Sequence, residues 1–156
     1  MIEKERLEWV IDQHYKTIDR HYNQRIKTKN WCLTLWLVIV TLLASGKLLA
    51  FNAQGLILSL LPIVLFWVLE AMQASHMKIM ELRVAELEKL WAGNLSKIKS
   101  PNDLLFYGSH QYQSSKVKFD VFIFALFKME TVFAFYLLLA IINFVVGIIF
   151  MATQPV

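Results

Sequence analysis

The chain is poor in the residues that punctuate or cross-link a fold. Its 156 residues contain one cysteine, three prolines and five glycines. A lone Cys32 excludes an internal disulfide, so cysteine usage says nothing of redox compartment. Charge is also scarce, at 18% of residues, and it is clustered, leaving three long apolar stretches almost free of it. There is no glycine-rich phosphate loop, no His/Cys metal motif and no nucleophile set beside a base. No cofactor or metal is therefore expected, and an enzyme is disfavoured. No ionised residue falls at the middle of an apolar stretch either. Ion-coupled carriers usually need one, so a transporter is disfavoured as well.

What the chain has instead is apolar mass. Hydrophobic residues make up 57% and aromatics 13%, against about 45–50% apolar in soluble domains. Mean hydropathy is +0.48. A bilayer core of about 30 Å takes about 20 helical residues, and three stretches approach that length. Residues 30–51 are read as the first span, 55–72 as the second and 132–152 as the third. Pro62 lies inside the second, where it is expected to kink the helix or weaken it. Trp31, Trp36 and Trp67 fit interfacial anchors. The charged first 29 residues do not resemble a removable leader, so the first span is expected to direct its own insertion.

Orientation follows from the basic residues. Residues 1–29 carry seven Lys or Arg and residues 72–131 carry eight, whereas Lys47 is the only one over residues 30–71. The positive-inside tendency then places the N-terminus and the long middle segment in the cytoplasm, with the C-terminus outside a bacterial inner membrane. The net charge of +4 is read as affinity for anionic headgroups rather than nucleic acid.

The cytoplasmic segments are expected to be helical. Ile11-Asp12-Gln13-His14-Tyr15 recurs as Ile18-Asp19-Arg20-His21-Tyr22, one heptad later, which argues for a single amphipathic helix over 1–29 running into the first span. Met77, Met80, Val84, Leu87 and Trp91 hold 3-4 spacing, a coiled-coil-like seam carried past the second span. Ser100-Pro101-Asn102-Asp103 predicts a short helix over 101–107. A third long helix is expected from about Lys116, its seam running unbroken through Phe119, Phe122 and Met129 to Tyr136, Asn143 and Gly147. The fold class is thus an all-α integral membrane protein with cytoplasmic helical extensions.

Each candidate functional residue has a plain alternative. His14 and His21 suit a pH-sensitive joint or a metal site shared between subunits, or a polar heptad position that sets register. Seven residues of helix hold them about 10 Å apart, too far for one metal within a single helix. Glu70, Lys128 and Glu130 suit a charge ring at a channel mouth, or interfacial charges paired between helices. Tyr136, Asn143 and Gly147 suit a pore lining, or close helix packing with a hydrogen bond in lipid. Met80, Val84, Leu87 and Trp91 suit a gating stalk, or a packed core.

A charged N-terminal helix, two closely spaced spans and the continuation M-E-L-R-V-A-E-L-E-K-L-W over Met80 to Trp91 together resemble the small bacterial membrane effectors of phage-defence operons and oligomeric inner-membrane assemblies. The resemblance covers about residues 10–92 and is one of architecture. It implies a homo-oligomer that permeabilises or signals across the membrane when a cytosolic protein or small molecule triggers it. The sequence expectation is therefore an oligomeric pore gated by its stalk. The alternative is a non-conducting scaffold or adaptor that recruits a cytosolic partner.

Overall fold

The computed structural model describes residues 2–45, 53–92 and 115–153. These form four helices: α1 (Ile2–Ala44), α2 (Ala53–Ala92), α3 (Ser115–Phe127) and α4 (Glu130–Thr153), with no strand among the described residues. The expected helix over 101–107 lies outside the described residues. At 43 and 40 residues, α1 and α2 are about 65 and 60 Å long by the helical rise, twice what a bilayer core takes. α2 stays helical through Pro62.

Three helices are long and apolar enough to cross a membrane, within Lys4–Ala44, Gln54–Lys89 and Glu130–Thr153. No more than 33% of the most apolar window of any of them is buried by protein. Leu37, Val38, Ile57, Leu65, Ile141, Phe144 and Ile149 are among the large apolar side chains left exposed. A face this apolar is stable only against lipid or another protein surface.

The chain divides into two units, residues 1–24 with 72–125 and residues 25–71 with 126–156. In the first, Leu7 and Val10 of α1 close on Leu87 of α2, flanked by Ile11 and Trp91. Lys4 lies 4.9 Å above the Trp91 ring, and the Tyr15 hydroxyl donates to Glu88 at 2.7 Å. The stalk seam is thus filled by α1 of the same chain. Burying leucines such as Leu7 and Leu87 stabilises by about 1.5–3 kcal/mol each.

In the second unit α1 pairs with α2 through Arg25–Glu70 and Cys32–Pro62. The α1 numbers rise as the α2 numbers fall, so the pair is antiparallel. α1 and α4 run parallel, because Arg25 meets Thr131 and Trp36 meets Asn143 at nearly constant offsets of 106 and 107. On α4 the buried residues are Val132, Tyr136, Leu139, Asn143 and Gly147, one stripe at 3-4 spacing.

The third long helix is not continuous as its seam predicts. It breaks at Lys128 and Met129, between α3 and α4. The freed carbonyls find other donors: the Trp67 indole donates to Leu126 O at 3.1 Å, and Val132 and Phe133 both donate to Met129 O at 3.0 Å. Lys128 directly follows the C-terminus of α3, and Glu130 sits in the first turn of α4. Each charge opposes the partial charge of the helix end beside it, which favours two helix ends here over one helix.

Candidate functional site

Three helices converge on one carboxylate. Glu70 on α2 is fully buried, yet it lies beside two cations of α1. Arg25 donates from Nε at 3.1 Å and from Nη2 at 3.0 Å, both to Oε1 of Glu70. Lys29 Nζ is 3.4 Å from the same oxygen. α4 completes the layer, since Arg25 Nη2 donates to Thr131 Oγ1 at 3.1 Å and Lys29 Nζ to Thr131 O at 2.9 Å. Glu70 also lies within electrostatic reach of Tyr136. Among the described residues neither Glu70 Oε2 nor the Tyr136 hydroxyl has a partner at full hydrogen-bond geometry, although the two groups interact with each other. An ion pair this deep is conditional: its net worth is small, but removing one partner strands the other charge.

Further along α1, a second polar contact crosses the interior. The Trp36 indole donates to Asn143 Oδ1 at 2.8 Å, with Asn143 fully buried. Trp36 is therefore an interior residue, in contrast to Trp31, which is 66% exposed. Between the two polar layers, Cys32 Sγ lies 3.9 Å from Pro62 O, in reach of a weak thiol hydrogen bond.

The stalk carries a third group. His14 Nδ1 is 3.0 Å from Val10 O, and the His21 and His76 rings meet edge to face at 6.0 Å. Burial holds the His14 pKa below its ordinary 6.5, and the nearby Arg83 charge lowers it further, against a smaller upward effect of the Val10 hydrogen bond. The unfolded chain then takes up a proton at this position near pH 6.5, and the folded chain only at lower pH. Between the two values the folded state binds fewer protons, so its stability falls as pH drops. Amide protection over residues 7–21, corrected for the intrinsic exchange rate at each pH, is expected to fall from pH 7 to 5, and His14→Leu to flatten that dependence. An unchanged profile in the variant would assign the effect to other groups.

Beside this group an open cavity of about 620 Å³ lies between α2 and α3. Ser75, Ile79 and Met80 line one side and Phe119 and Phe122 the other.

The structure thus separates the residues that the sequence grouped. Glu70 is buried and paired, while Lys128 and Glu130 are exposed, so the three form no ring within the chain. Tyr136, Asn143 and Gly147 share one face as expected, but that face is enclosed by the chain's own helices. Met80 borders the cavity, Val84 and Leu87 are buried, and Trp91 is half-buried. Arg25, Lys29 and Thr131 were not singled out by sequence reasoning. A signal existed in the 3-4 stripe Leu7, Val10, His14, His21, Arg25, Thr28, Cys32, Trp36, where charge and polarity interrupt an otherwise apolar face. The chain matches no known protein family, no curated protein and no solved structure.

Proposed function

We propose that the chain is a three-span membrane protein that does not conduct, and that its cytoplasmic helical stalk recruits a cytosolic partner to the inner membrane. The observation that carries this reading is the burial of Tyr136, Asn143 and Gly147 inside one chain. A pore between copies is lined by residues that each copy leaves exposed on its outer surface. The face expected to line it is instead occupied by packing and by the Trp36–Asn143 hydrogen bond. What remains outward on α4, such as Leu138, Ile141, Phe144 and Ile149, is apolar and suits lipid rather than an aqueous lining. The charge distribution supports residues 1–29 and 72–131 as the cytoplasmic part.

Ion flux through liposomes containing the full chain tests this directly. No flux above empty liposomes is expected at neutral or mildly acidic pH, for the wild type and for Asn143→Leu alike. Loss of the buried hydrogen bond is expected to cost Asn143→Leu about 1 kcal/mol of stability in detergent, the usual scale for such bonds in membrane bundles. Flux that the variant alters without unfolding would restore the pore reading and return Asn143 to its lining. Orientation is checked separately by a reporter that fluoresces only in the cytoplasm, fused to either end. Signal from the N-terminal fusion and none from the C-terminal one is the expected result.

A further inference from the structure

We infer that the cavity between α2 and α3 is a binding site for an anionic phospholipid, one acyl chain lying among Ile79, Met80, Phe119 and Phe122 and the phosphate meeting Lys118 and His76. The inference rests on the membrane reading above and goes beyond it, because the adaptor reading requires no ligand.

Four observations carry it. The first is the lining. At about 620 Å³ the cavity falls among small-molecule sites, which are mostly apolar with a few placed polar groups and run to about 300–1,000 Å³. Methionine and phenylalanine dominate it, and Met72 and Met80 can adapt to a flexible chain. The second is charge. Among the described residues the lining holds one lysine and one histidine and no aspartate or glutamate, so the charge at its mouth suits an anion.

The third is position along α2. The cavity opens at Met72, the last residue of the expected second span over 55–72. Within that helix this is the height at which the hydrocarbon gives way to headgroups. The fourth is α3 itself. Ile123, Phe124 and Phe127 are exposed, while Ala125 is buried, so the C-terminal half of the helix is apolar on the side away from the protein as well as toward it. Such a helix needs an apolar medium around it, and lipid supplies one at the same level as the cavity. A cytosolic amphipathic helix would cover the cavity but leave those outer phenylalanines in water.

The purified full chain in a neutral detergent, titrated with phosphatidylglycerol or phosphatidylcholine and weighed intact by native mass spectrometry, tests the site. One phosphatidylglycerol is expected to remain bound in preference to phosphatidylcholine. Lys118→Gln is expected to weaken that preference by roughly fivefold, the worth of one lysine beside an anionic lipid surface. Met80→Trp, which fills the cavity, is expected to lower retention of both lipids. Lys16→Gln removes the same charge from an exposed position paired with Asp12 and is expected to change nothing. Circular dichroism on every variant separates loss of the site from loss of the fold. Equal retention of the two lipids, or a preference that survives Lys118→Gln and Met80→Trp, overturns the proposal. Recovery of the chain in an aqueous extract without detergent would instead overturn the membrane reading on which it rests.

Discussion

Glu70→Gln is expected to destabilise the protein more than any change to its apolar surface, by about 3–5 kcal/mol. Arg25 and Lys29 both point at Oε1 of this residue. A neutral amide leaves Arg25, which is only 7% exposed, with no counter-charge in a medium that solvates it poorly. Arg25→Met is expected to cost a similar amount for the mirror reason, stranding the carboxylate with only Lys29 beside it. The double variant Arg25→Met with Glu70→Met is the informative one. A buried pair replaced by apolar residues of similar volume is often close to neutral, and the 25% exposed Lys29 side chain can turn outward. Thermal or denaturant unfolding in detergent is therefore expected to give singles well below wild type and a double that recovers most of the loss. Additive losses would mean that the two side chains act separately and that the layer is not one unit.

The second large effect is expected in the stalk. Leu87 is fully buried against Leu7 and Val10. Leu87→Glu removes that packing and puts a charge into an apolar cluster, a cost of roughly 3–5 kcal/mol. Amide exchange should rise over residues 4–15 and 80–92 and stay slow over 55–71, since the spans contain none of these contacts. If the stalk recruits a partner, membrane recruitment of that partner is lost in this variant while insertion is kept. A chain that still recruits with its stalk opened would place the docking surface elsewhere. Leu82→Glu is the matched control, because Leu82 is already 36% exposed and tolerates a charge facing water.

The helix break at Lys128 and Met129 shows how local and tertiary effects divide the same residues. The apolar seam through Met129 reads as continuous because 3-4 spacing is blind to a missing turn. The order of charges, lysine before glutamate, was the local hint of two helix ends. What fills the gap is tertiary: the Trp67 indole on the Leu126 carbonyl.

The sequence by itself determined the properties that are sums over neighbouring residues. Helix type, three stretches long enough to span, the 3-4 stripes on α1, α2 and α4, and the imbalance of basic residues are all written in short windows, and each follows from backbone geometry or transfer of a segment into lipid. Which side of each stripe does what was decided only by the tertiary structure. Asn143 pairs with Trp36 across 107 residues, and Glu70 with Arg25 across 45. In water a polar face and an apolar face would have marked outside and inside. In a span both faces are apolar, one for lipid and one for protein, so no polarity contrast along α4 separates a lining from a core. Packing alone makes that choice, and it turns Tyr136, Asn143 and Gly147 inward.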